Sequence, residues 1–214
     1  TPVARSAALG ETRATMPITL DRAFTFYFVR HGVTDLNFRG LRCGGDMDIP
    51  LKNLGCDQAY LLGKQIAELE LGIERIVASD LIRTRQTALI MSGVLGGVAV
   101  ETDRNLNERH LGEWNGKPIA ENEHLLKQGV TPPGGESEEQ FSARIGKAMA
   151  GWIPALAAKR TLVVSSRGVG RIINTALGGE GRLAVANGEV VEFSSEPAGG
   201  GAFRLKVHRP HQVG

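Results

Sequence analysis

An arginine, a histidine and a glycine end an apolar, aromatic run in the stretch Phe24–Thr34, FTFYFVRHGVT. The run contains no breaker and reads as a buried strand. Arg30 and His31 therefore stand at its carboxyl end, the edge at which open α/β sheets bind ligands. Arg30 offers a planar fork that matches phosphate oxygens. His31 beside it is a natural nucleophile or base. Gly32 allows backbone or ligand to approach closely. Thr34 and Asn37 follow at short spacing and can bring neutral hydrogen bonds to the same pocket. In Ser79–Thr84, SDLIRT, Arg83 falls in the first turn of a helix that starts at a strand end. Such a helix terminus favours an anion, and Arg83 adds a full charge. Leu106–Trp114, LNERHLGEW, is a polar loop with three ionisable residue types, and Pro133–Ser137 is a Gly-rich turn. A lone Arg-His-Gly recurs by chance, so its weight comes from these ordered partners.

The elements that must carry these residues alternate between strand and helix, which argues for a layered α/β domain. Beyond Phe24–Val29, strands are expected at Glu74–Ala78, Val98–Glu101 and Thr161–Ser165. Val190–Ser194 and Ala202–Val207 read as a closing hairpin. Helices are expected from about Asn53 to Leu71, from a Ser79 or Asp80 cap to about Leu95, and near Ile119–Lys127. Ser137-Glu138-Glu139-Gln140 is a capping box that opens a further helix. That helix carries Phe141, Ile145, Met149, Trp152 and Leu156 on one face, and Pro154 kinks or ends it. Gly168–Leu177 is a helix behind the Thr161 strand. The 214 residues suit one domain over 23–214, preceded by a loosely held extension over 1–22.

Composition narrows the function classes. Lys plus Arg minus Asp plus Glu is 25 − 23 = +2, so no global basic field favours nucleic acid. No apolar run approaches the roughly 20 residues needed to cross a bilayer. Cys43 and Cys56 lack CxxC spacing and read as free thiols, which fits a reducing, cytoplasmic compartment. In residues 1–22, Glu11 and Asp21 dilute the positive charge that a targeting peptide needs.

RHGVTDLN at 30–37, GDMDIPL at 45–51, SDLIRTRQTA at 79–88, LNERHLGEW at 106–114 and PGGES at 133–137 together resemble the histidine phosphatase superfamily, the phosphoglycerate mutase-like proteins. The resemblance implies a three-layer α/β/α fold with a mostly parallel central sheet. It implies that His31 attacks a phosphoryl group and becomes a phosphohistidine. Arg30 and Arg83 would clamp the equatorial oxygens, where transition-state charge spreads. Glu108 would protonate the leaving oxygen and then activate water. No metal or cofactor is implied, since arginine and histidine supply the positive charge. The expected ligand is a small phosphorylated substrate or inorganic phosphate, and a homodimer is in keeping with similar proteins. Asp48 and Pro50 are expected to shape their loop, Arg144 to form a structural ion pair, and His110 to line the rim. Arg109 could pair with a carboxylate or contact substrate.

One position departs from the family pattern. A second catalytic histidine is expected at the end of the TLVVS strand, in a Ser-His-Gly context. This chain reads Ser165-Ser166-Arg167-Gly168, with Ser166 in the place of the histidine and Arg167 in that of the following glycine. Ser166 can donate one neutral hydrogen bond but carries no charge. Arg167 restores a cation only if its side chain turns back into the pocket. Ser166, Arg167 and Gly168 are therefore the expected phosphate-facing residues of the opposite wall. Mutases of this family carry a longer insertion between the Glu-bearing loop and the Pro-Gly-Gly-Glu-Ser turn, whereas only about twenty residues separate Trp114 from Pro133 here. A more open pocket admits water and favours a phosphomonoesterase. A catalytically impaired binder of phosphorylated ligands or of a protein is the alternative, and a phosphoglycerate mutase the third.

Overall fold

Alternation along the first strand separates two cores. A computed structural model gives the fold of residues 17–210. In β1 (Phe24–Arg30), Phe24, Phe26 and Phe28 point to one face of the sheet, and Tyr27 and Val29 to the other. This is the period-two geometry of a strand buried on both sides. The first face packs on α5 (Glu138–Ala158) and α6 (Arg167–Ala176). The second packs on α2 (Asn53–Glu68) and α3 (Ile82–Val94). Three layers result.

Six strands make the sheet, in the order β3-β2-β4-β1-β5-β6. β2 (Arg75–Ala78), β3 (Val100–Thr102) and β4 (Thr161–Ser165) join β1 in a parallel block. β5 (Val190–Gly199) and β6 (Ala202–His208) add an antiparallel edge. Phe26 of β1 stacks on Phe193 of β5, with ring centroids 4.9 Å apart. The chain leaves β1 towards α2 on one face and leaves β4 towards α6 on the other. A crevice therefore opens between the carboxyl ends of the two central strands.

Several elements differ from expectation for local reasons. α3 begins at Ile82 with Leu81 as its cap residue, not at Ser79 or Asp80. The Ser79 hydroxyl is spent on Thr84 Oγ1 at 2.8 Å, and Asp48 Oδ1 accepts the Ile82 N–H at 2.7 Å instead. α5 runs through Pro154 to Ala158. Pro154 lies on the exposed side, where water can take the carbonyl it leaves unpaired. Trp152 is only half-buried and donates from Nε1 to Asp103, so Ile153 takes the core position. β5 runs through Pro197, where the register shifts between Pro197 and Gly199. The last part of the expected extension docks: Ile18 N–H donates to the Ala176 carbonyl at 2.7 Å, and Ile18 and Leu20 pack on the core. Residues 1–16 lie outside the described residues.

Candidate active site

β1 and β4 bring the two halves of the site together. Arg30 and Ser165 are in-register partners of the parallel pair, and His31 N–H donates to the Ser165 carbonyl at 2.9 Å. His31 and Ser166 therefore leave neighbouring strands side by side, about 4.8 Å apart.

His31 is held as a neutral imidazole. Its Nδ1 lies 2.7 Å from the Gly32 carbonyl oxygen, which can only accept. Nδ1 therefore carries the proton, and Nε2 is left with a free lone pair. Burial pushes the His31 pKa well below its ordinary value, and the like charges of Arg83 and Arg30 push it further. The single opposing influence is the Gly32 hydrogen bond.

The loop under His31 is clamped by backbone contact. A Cβ on Gly32 would collide with the carbonyl oxygen of Gly55, and one on Gly55 with that of Val33. Gly32 N–H donates to Thr87 Oγ1, Val33 N–H to Gln58 Oε1, and the Asn187 amide to the His31 carbonyl. Gly32→Ala is expected to destabilise the fold by about 1–3 kcal/mol through overpacking and to misplace the imidazole. Urea unfolding measured alongside turnover checks this, and an alanine variant of unchanged stability would contradict it.

Arg83 is fully buried, with Nη1 on the Met47 carbonyl at 2.8 Å and Nη2 on the Gly44 carbonyl at 3.1 Å. Its guanidinium plane is thus set by the 44–47 loop rather than by helix geometry alone. Nε of Arg83, Nε of Arg30 and Oγ of Ser166 are buried with no hydrogen-bond partner. Ser166 is 2% exposed. Unpartnered buried donors are costly unless a ligand meets them. Burial lowers the Arg30 pKa from its ordinary value; Glu108 opposes this, and Arg167 and Arg83 add to it. Arg30 is therefore close enough to all three to feel their charges.

Glu108 lies at the start of α6. Its Oε1 accepts from Arg109 N–H at 2.8 Å and its Oε2 from Gly168 N–H at 3.0 Å. The absent side chain of Gly168 makes room, since a Cβ there would strike the carboxylate. The Gly168 N–H, expected to face phosphate, is therefore taken by Glu108. The N-terminus of α3 is likewise occupied by Asp48, so both helix termini meet carboxylates of the protein itself. Thr34 and Asn37 form the capping box of α1 (Asp35–Phe38), with Thr34 Oγ1 accepting from Asn37 N–H. Arg167 is exposed at the first position of α6.

The Glu108 loop is fixed by residues of which Arg144 was expected to act structurally, as was Arg109 on one of its two readings. Ser165 Oγ donates to the Leu106 carbonyl at 2.7 Å. Arg144 holds Glu136 through two nitrogens and donates to the carbonyls of Asn105, Asn107 and Glu108. Asp46 accepts from Leu111 N–H, Gly112 N–H and Asn115 Nδ2. Burial would raise the Asp46 pKa, but these hydrogen bonds outweigh it and hold the carboxyl below its ordinary value. Arg109 pairs with Glu138 at 2.9 Å and donates to the Glu136 carbonyl. Asp46 was missed because its bonds span more than 60 residues, a distance at which sequence spacing gives no signal.

Similar proteins share this arrangement of elements. A mycobacterial glucosyl-3-phosphoglycerate phosphatase, solved with VO3, superposes with a TM-score of 0.72 over 86% of this chain and 97% of its own, at 24% identity. That likeness shows the fold. A probable phosphoglycerate mutase, GpmB of Yersinia pestis, is 32% identical over 188 residues, 80% of this chain and 86% of its own length. The fructose-2,6-bisphosphatase TIGAR of Xenopus tropicalis is 34% identical over 130 residues, which span 56% of this chain but only 46% of the frog protein. The sequence pattern of the histidine phosphatase superfamily (branch 1) matches residues 26–203, from the first core strand to the last, and the chain belongs to that superfamily.

Proposed function

We propose that the protein is a phosphomonoesterase that works through a phosphohistidine on His31. The observation that carries this reading is the imidazole itself: buried, neutral, with Nδ1 anchored on Gly32 and Nε2 free beside two arginines. Nε2 attacks phosphorus, and the bond to the leaving oxygen breaks. Arg30 and Arg83 hold the equatorial oxygens, where charge accumulates. Glu108 gives its proton to the leaving oxygen. It then takes one from the water that attacks the phosphohistidine, and inorganic phosphate departs. The short stretch between Trp114 and Pro133 favours hydrolysis over return of the phosphoryl group, because it leaves the pocket accessible to water.

The test is trapping with radiolabelled p-nitrophenyl phosphate under an alkaline denaturing quench. A base-stable, acid-labile label on His31 is expected, together with steady hydrolysis. The absence of both across a broad phosphoester panel would sink the proposal. The pH behaviour is a second check. An ordinary histidine takes up a proton near pH 6.5, whereas His31 has its folded pKa well below that value. The unfolded chain therefore binds this proton first as pH falls below about 6.5, so His31 costs the fold stability there. The nucleophile stays neutral over the same window. An NMR titration of the histidine side chains is expected to show His31 unprotonated at pH values where an ordinary histidine is already protonated; protonation near the ordinary value would contradict the electrostatic account.

The unpartnered Ser166 hydroxyl motivates one further reading, a binder of phosphorylated ligands without turnover. Calorimetric binding of inorganic phosphate with no phosphohistidine would favour it.

A further inference from the structure

Around the start of α6 three arginines are paired with carboxylates. Arg109 and Arg171 both hold Glu138, at 2.9 and 2.6 Å, and Arg144 holds Glu136 at 2.7 Å. Arg167 differs. It is exposed and, among the described residues, has no carboxylate or hydrogen-bond partner. Glu108, the carboxylate of the pocket, has both oxygens on backbone N–H groups and does not pair with it. Even so, Arg167 lies near enough to Arg30 for its charge to be felt there. Between Arg167 and His31 in the chain's approach to the pocket stands Ser166, 2% exposed, with a buried hydroxyl that has no hydrogen-bond partner and no charge.

Charge counting points the same way. Arg30, Arg83 and Arg167 carry three positive charges around one pocket. The two charges of a phosphomonoester dianion match the two arginines beside His31, Arg30 and Arg83. The unmatched cation is the one at the rim, not one of the two beside His31. We propose that Arg167 is a specificity-determining residue that takes a second anionic group, carboxylate or phosphate, on substrates whose reacting phosphoryl group sits against His31. This rests on the reading of the pocket as a phosphomonoester site. Because Arg167 is exposed at a helix start, its contact serves substrate binding and its side chain can be removed without opening the core.

The test uses substrate pairs that differ in one anion: ethyl phosphate with phosphoglycolate, and glycerol 3-phosphate with 3-phosphoglycerate, for a carboxylate. Propyl phosphate with propane-1,3-diyl bisphosphate serves for a second phosphate. In Arg167→Ala, the ratio of kcat/KM for the doubly over the singly anionic partner is expected to fall about tenfold, mostly through KM. Arg167→Lys should keep most of the ratio, and added salt should erode it in the wild-type protein. The pair that loses most identifies the second anion. An unchanged ratio in all three pairs would overturn the proposal. So would an equal loss on both members of every pair, which would assign Arg167 to the reacting phosphoryl group itself. If the protein does not turn these esters over, the same ratio is read from calorimetric dissociation constants. The phosphatase reading then fails, and the Arg167 proposal is still judged by its own measurement.

Discussion

His31→Ala is expected to lower phosphoester hydrolysis on the order of 10⁵-fold and to remove the covalent label completely. Among the described residues, no other side chain at the sheet edge offers a buried, unprotonated nitrogen: the imidazole is 4% exposed and its Nδ1 is committed to Gly32. Arg30 and Arg83 remain in place in this variant, because neither is hydrogen-bonded to the imidazole. Phosphate binding should therefore persist, and loss of rate without loss of binding separates a nucleophile from a binding residue. Turnover of p-nitrophenyl phosphate, calorimetric phosphate affinity and a thermal melt together make the check. A folded variant that keeps more than about a hundredth of wild-type turnover would remove His31 from the role assigned to it.

Ser166→His is expected to raise kcat by about 10²- to 10³-fold, with a smaller change in KM. The Arg30–Ser165 register sets position 166 beside His31 whatever side chain it carries. The serine hydroxyl now present has no partner and supplies no charge. An imidazole in its place could donate to the transferring oxygens, where an added hydrogen bond strengthens as charge develops. The same substitution would leave Ser165 on Leu106 and Glu108 on Gly168, so the rest of the wall keeps its support. Steady-state kinetics on p-nitrophenyl phosphate measure the gain. A folded variant with no gain would mean that a residue other than Ser166 limits the rate, and Arg167 would then be the first to examine by the substrate pairs described above.

Much of this was legible in the chain. The alternation of Phe24, Phe26 and Phe28 against Tyr27 and Val29 is a local pattern, and it correctly predicts a strand buried on both faces. The Ser137–Gln140 box predicts a helix start because both of its hydrogen bonds form within four residues. The ordered motifs around Arg30, Arg83 and Glu108 name the family, and the family pattern spans residues 26–203.

What the linear pattern could not decide was where shared hydrogen-bonding groups are spent. Ser79 looked like a helix cap, but Thr84 competes for it and Asp48 arrives from 34 residues away to take the Ile82 N–H. Thr34 and Asn37 have pocket-compatible chemistry, and the structure also uses both as acceptors in the cap of α1. Gly168 was expected to meet phosphate, and Glu108 reached it from 60 residues upstream. The sequence by itself determined the layers, because those follow from short-range periodicity, while the role proposed for His31 and the serine standing where a histidine was expected come from the resemblance of its motifs to the superfamily. Only the tertiary structure decided the tautomer of His31, the plane of Arg83 and the unpaired state of Arg167. Each of these depends on which distant donor or acceptor lies within about 3 Å, and chain order does not encode that distance.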